Sequence, residues 1–290
     1  LDRGIDPACV AVRDPPGDSL PDVIRFIAIA GMRTHQPDHR RGLLGKDDPD
    51  PVAIVNADST SDLVLICEHA GNALPKSLGR LGLAPDVMHT HIALDVGVES
   101  IARELAHRLD APLVVQNYSR LVYDCNRDRL SPEAIPAVSA GIPIPGNTAL
   151  TETERDVRYR AIFHPYAEAV EQVFRAHPRK ASFSIHSFAR EYQEEIRPWQ
   201  AGVLYRQDFR TAHILLSTLK ERLPKAAIAY NRPYHITSRH DWYVTHCAEP
   251  RQIRHGIVEI CNALIADAAG QDAWSGHLLA AIRRVLPTLG

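Results

Sequence analysis

Four widely separated residues, His69, Asp95, His186 and Glu259, are of the types a metal-dependent hydrolase uses. His186 stands near the end of Ser182-Phe-Ser-Ile-His-Ser-Phe188, whose alternation of small and apolar residues reads as a β-strand. His69 follows the apolar run Asp62-Leu-Val-Leu-Ile-Cys67, in the polar, glycine-containing loop Glu68-His-Ala-Gly-Asn72. An imidazole at the carboxyl end of such a strand has a rigid support and faces the crevice where open α/β sheets hold ligands. Catalytic zinc takes three ligands from His, Asp and Glu and leaves a fourth position for water, whose pKa it lowers to roughly 7. A carboxylate close by can receive the proton and pass it to a leaving nitrogen. Glu259 suits that duty: set between Ile257-Val258 and Ile260-Cys261, it is costly to bury without a partner.

Each residue also has a plainer reading. His69 can be a loop histidine that hydrogen-bonds locally, Asp95 a helix cap or dipole partner, and His186 an imidazole satisfied inside the core. The compact zinc signature His-Glu-x-x-His is absent. Asn126 and Arg127 follow Leu121 to Tyr123, a stretch that reads as a strand. A surface charge is the ordinary outcome for an arginine there, but its planar fork can instead clamp a substrate carboxylate at two points. Arg120 can stabilise the oxyanion that forms when hydroxide adds to an amide carbonyl. Tyr234 and His235, in the turn-rich loop Asn231-Arg-Pro-Tyr-His235, stay open as pocket residues because no motif covers them.

The elements that must position these side chains alternate between strand and helix patterns. Leu94, Val98, Ile101, Ala102, Leu105 and Leu109 repeat at helical spacing, which predicts a helix over 93–109 with Asp95 at or near its start. Strands are predicted at 62–67, 112–115, 121–123, 182–188, 202–205, 226–229 and 256–261. Helices are predicted at 151–176, 209–223, 243–248 and 272–286. A Pro- and Gly-rich loop over 132–147 is long enough to be a binding loop or lid. Strands alternating with helices argue for a sheet covered on both faces. Residues 1–58, punctuated by Asp-Pro-Pro-Gly and Asp-Asp-Pro-Asp-Pro, read as an extended or partly disordered leader with one apolar run at Val23 to Ala30. Residues 59–290 read as a single domain.

Composition narrows the classes. Apolar residues make up 45% and charged residues 23%, which fits an ordinary globular chain able to bury a large core. The net charge is −2, and dispersed basic residues argue against a nucleic-acid partner. No apolar stretch is long enough to cross a bilayer, and no secretory signal opens the chain, so no membrane partner is expected. The five cysteines are scattered and odd in number, which is no disulfide framework; a cytoplasmic location is expected.

Several blocks carry a resemblance. Ile66-Cys-Glu-His-Ala-Gly-Asn72, Ala93-Leu-Asp-Val96, Tyr118-Ser-Arg-Leu-Val-Tyr-Asp-Cys-Asn-Arg127, Ser184-Ile-His-Ser187 and Val258-Glu-Ile260 occur in the order expected of the N-formylglutamate amidohydrolase family. The chain resembles that family from roughly residue 60 to residue 265. More distantly, Ile185-His186-Ser187, Asn126-Arg127 and Glu259 resemble the metal-ligand, carboxylate-binding and general-base segments of the zinc carboxypeptidases. The resemblance implies a three-layer α/β/α fold of phosphorylase/hydrolase type around a mixed sheet. It implies zinc held by His69 and His186, Glu259 as base, and Asn126 with Arg127 on the substrate carboxylate. Asn72 stands where the carboxypeptidases carry an acidic ligand, so the resemblance assigns that ligand to Asp95, with Glu68 as the alternative. The implied activity is zinc-dependent hydrolysis of a linear C–N amide in a small N-acyl amino acid, N-formylglutamate or similar. The acyl group stays open, because Glu-His-Ala-Gly stands where formylglutamate enzymes often have Pro-His-Ser/Thr-Gly. Two other readings are a peptidase for short peptides and a metal-free small-acid-binding protein that kept the fold.

Overall fold

The computed structural model describes residues 42–289. Its strands are β1 (Val52–Val55), β2 (Leu63–Cys67), β3 (Leu113–Gln116), β4 (Ala181–Phe188), β5 (Ala201–Leu204), β6 (Ile228–Tyr230) and β7 (Arg254–Cys261). They form one seven-stranded sheet in the order β1-β3-β2-β4-β7-β5-β6. The central four strands are parallel, β1 is antiparallel on one edge, and β5 opposes β7. The sheet is therefore mixed.

β4 and β7 are buried almost throughout, which is why β4 and residues 256–261 of β7 read as apolar or small apart from His186 and Glu259. Their alternation sends Phe183, Ile185, Val258 and Ile260 to one face. That face is covered by α1 (Val98–Leu109), α4 (Phe209–Arg222) and α5 (Ala268–Val285). In α1, Val98, Ile101, Ala102 and Leu105 fall at the i, i+3, i+4, i+7 positions of one buried stripe. On the opposite face, Val64, Ile66 and Ile257 pack under Ile162, Phe163, Tyr166 and Val170. Those residues belong to a continuous helical stretch made of α2 (Glu152–Arg158), a π turn (Tyr159–Phe163) and α3 (His164–Ala176). A capping box of Thr151 and Glu154 starts it, as the acidic first turn predicts. The fold is a three-layer α/β/α. No helix among the described residues is long and apolar enough to cross a membrane.

Several expectations need correcting. Leu121 to Tyr123 is buried but forms turns, not a strand. Its carbonyls are taken by side chains instead of a ladder: Asn147 Nδ2 donates to Leu121 O (2.8 Å) and Arg158 Nη1 to Val122 O (3.4 Å). The folded part also reaches back before residue 59, since β1 pairs with β3 and Leu43 and Leu44 are buried in the core. The apolar run Val23 to Ala30 lies outside the described residues. Helix α1 starts at Val98 after a left-handed Gly97 (φ 82°), leaving Asp95 in the preceding turn. The predicted lid loop holds a small hairpin, Val138–Ser139 paired with Ile142–Pro143.

Candidate active site

His186 and Glu259 are register partners on the adjacent parallel strands β4 and β7, so both side chains leave the same face. On β5, Gly202 stands opposite Glu259; a Cβ there would meet the Arg232 carbonyl oxygen at 1.6 Å. Only glycine lets the loop carrying Tyr234 pass this close to the sheet. A second glycine, Gly71, lets the His69 loop lie against Asn117, whose carbonyl oxygen a Cβ would meet at 2.0 Å. The loop is held there by Gly71 N–H on Gln116 O (3.0 Å), and Asp95 N–H donates to His69 O (2.9 Å).

These constraints bring three donors together. His186 Nδ1 lies 2.9 Å and His69 Nδ1 3.4 Å from the same Asp95 oxygen, Oδ2. Among the described residues, His69, Asp95 and His186 form a buried group whose ligand atoms all lie within 4.8 Å of one another. Tetrahedral bonds of about 2.0–2.1 Å would set such donors roughly 3.3 Å apart, so the triad fits a zinc-sized cation. The outer nitrogens support the fit. His69 Nε2 is 2.7 Å from Asp124 Oδ1, and His186 Nε2 is 3.2 Å from Glu68 Oε2 and 2.9 Å from Ser184 Oγ. Carboxylates behind both imidazoles turn both Nδ1 atoms toward the shared centre, the arrangement that orients metal-bound histidines. Glu68 thus stands behind His186, away from the point where the three donors meet, and Asp95 caps no helix.

The other expected residues surround this centre. Arg120 spans Asp124 (Nη2 2.7 Å, Nε 3.1 Å) and Asp95 (Nη1 3.2 Å), so three of its N–H groups are committed to carboxylates. Asn126 is buried, accepts Tyr243 N–H (3.3 Å) and donates to Asp241 (3.4 Å), which makes it a brace between two loops. Arg127, Asn126 and Glu259 line a cavity of about 440 Å³ together with the triad. Tyr234 and His235 line it too. Asp124 and Ser184 escaped the sequence reading. Asp124 lay inside the Asp-Cys-Asn-Arg block, but its partner His69 is 55 positions away, and no local pattern announces such a pair.

Electrostatics separates the acids. Burial pushes Asp95, Asp124 and Glu68 up, but the imidazoles and, at Asp124, the Arg120 guanidinium outweigh it and hold all three below the usual carboxylate range. Burial disfavours charge on His186, yet Glu68 and Asp95 raise its pKa well above the ordinary histidine value. Glu259 differs. Burial, reinforced by the Asp95 charge, raises it to about 7 against the partial relief of His186, His69 and Arg120. Its Oε2 is buried with no hydrogen-bond partner. A carboxyl near neutrality with a free lone pair in a cleft is what proton transfer at pH 7 requires.

The sequence pattern of the N-formylglutamate amidohydrolase family matches residues 61–266. A solved gene product of Agrobacterium tumefaciens shares 33% identity, covering 86% of this chain and 100% of its own, with a TM-score of 0.80. The chain belongs to the N-formylglutamate amidohydrolase family. It is a hydrolase acting on amides. N-formylglutamate amidohydrolase from Ralstonia eutropha shares the fold at 18% identity and a TM-score of 0.59, over 83% of this chain and 98% of that one. A metallo-carboxypeptidase from Burkholderia cenocepacia aligns more loosely, at 13% identity, a TM-score of 0.38 and coverage of 83% and 66%. No curated protein matches the chain significantly.

Proposed function

We propose that the protein is a zinc-dependent amidohydrolase that cleaves a linear amide in a small N-acyl amino acid, with N-formylglutamate as the family's model substrate. The observation that carries this reading is the pairing of one three-donor centre, His69, Asp95 and His186, with an unpartnered carboxyl, Glu259, on the neighbouring strand. Zinc held there would supply an electrophile for the amide carbonyl and an acidified water. Glu259 takes the proton of the attacking water at its free Oε2 and later delivers it to the departing nitrogen. Arg120 fixes the Asp95 and Asp124 carboxylates and offers its remaining N–H groups to the developing oxyanion. Arg127, braced by Asn126, receives the carboxylate of the amino acid. The cytoplasm suits the chain, since Cys67, Cys125, Cys247 and Cys261 are free and buried.

A cavity of about 440 Å³ is generous for a formylated amino acid and leaves room for a second reading, cleavage of short peptides. Steady-state assays of the zinc-loaded protein on N-formylglutamate, longer N-acyl amino acids and a dipeptide panel separate the two. Turnover of N-acyl amino acids above that of the dipeptides supports the proposal. Turnover of the dipeptides alone replaces it with the peptidase, and no hydrolysis of either class refutes it.

A further inference from the structure

Arg127 reaches the cavity wall with its orientation set from behind. Its Nη1 donates to the carbonyl oxygens of Asn126 (3.3 Å) and His240. The two loops that carry these carbonyls are tied by Trp242 N–H on Asn126 O and Asp128 N–H on Arg239 O, both 3.1 Å. The Nε atom is left without a hydrogen-bond partner although it is buried. The carboxylate of Glu133 stands beside that position. Its Oε2 lies 3.3 Å from Arg127 Nε and 3.5 Å from His240 Nε2, and all three residues line the cavity. Glu133 thus approaches as a charge and not as a well-aligned acceptor. Its side chain is 55% exposed against 18% for Arg127. It rides on a single 3-10 turn, Pro132–Ala134, in the Pro- and Gly-rich loop.

We infer that Glu133 is an internal competitor for the substrate carboxylate. In the free protein it occupies the anion subsite formed by Arg127 and His240, and a bound N-acyl amino acid displaces it. The inference rests on the carboxylate-binding role proposed above for Arg127. An ion pair this exposed is weak enough to give way; its loss changes an equilibrium constant by at most about fivefold. The apparent affinity for an anionic ligand is lowered by the fraction of molecules in which Glu133 holds the subsite. A two-point carboxylate overcomes that competitor, whereas a neutral amide group gains nothing from its removal.

Calorimetric titration of the full chain with L-glutamate tests this without requiring turnover. Glu133→Gln and Glu133→Ala are both expected to bind glutamate about three- to fivefold more tightly than the unaltered protein. Combined with Arg127→Met, the same changes are expected to give no gain, because the subsite they unblock has been removed. Equal or weaker binding by both Glu133 variants overturns the inference. So does a gain that survives Arg127→Met, or an absence of glutamate binding by every protein. Hydrolysis of N-acyl amino acids is scored separately, so failure of the enzymatic reading and failure of this competitor are told apart.

Discussion

β4 and β7 present two faces that have been given opposite duties. On the side of α1, α4 and α5 the strands show Phe183, Ile185, Val258 and Ile260, all buried in a continuous apolar cluster. One residue along, on the other side, the same strands show Ser184, His186 and Glu259, equally buried but polar. The polar face is the costlier one to bury: at Glu259 burial outweighs the neighbouring imidazoles and raises the carboxyl to about 7. The apolar face offsets that cost, with side chains as large as Phe183 wholly shielded from water. A pleated strand thus separates stability from chemistry by a single step in register.

Substitutions on the two faces can break this division or sharpen it. Glu259→Gln should lower kcat by about 10²–10⁴-fold while leaving the thermal midpoint no lower, as read by kinetics and melting on the same sample. Phe183→Ala, one face over, should cost about 3–5 kcal/mol in a denaturant titration yet leave turnover per folded molecule intact. A stable but inactive Phe183→Ala protein would erase the distinction between the faces. Asp124→Asn removes the carboxylate behind His69 and should weaken zinc about 10–100-fold in a chelator competition. Because Arg120 loses its two bonds to that carboxylate, the folded state should be destabilised as well.

The smallest effect is in pH. A base must be ionised, so kcat/KM should fall about tenfold for each pH unit below the pKa of Glu259. Burial places that pKa at about 7, and a bound divalent cation lowers it, so the acid limb should lie at or below neutrality. Without metal the sign for stability is opposite to that of a salt-bridged acid. The folded protein holds the proton more tightly than the unfolded chain, so stability falls as pH climbs from the ordinary 4.5 toward about 7. Glu259→Gln should remove that decline in pH-dependent melting of the metal-free protein.

Much of this was legible in the chain because the site residues end or interrupt apolar runs. His69 lies two residues beyond the end of β2, His186 lies two residues from the end of β4, and Glu259 interrupts the apolar run 257–261 of β7. The periodicity of α1 was equally plain. What stayed hidden depends on partners distant in sequence. Leu121 to Tyr123 has the apolar character of a strand, and distant Asn147 and Arg158 take the carbonyls that its turns leave in the core. β1 is short, half-buried and embedded in Pro- and Asp-rich sequence, so its pairing with β3 leaves no pattern to read. Asp124 looks like one more acid in a loop until folding sets it behind His69.

The central claim, that two imidazoles and one carboxylate converge on a single cation, is tested most directly by zinc titration monitored by equilibrium dialysis on the full chain and on His186→Ala. The account predicts one tightly held zinc per chain in the former and its loss in the latter, with the His186→Ala protein still folded. Undiminished zinc binding by His186→Ala, or no zinc taken up by the unaltered chain, would contradict it.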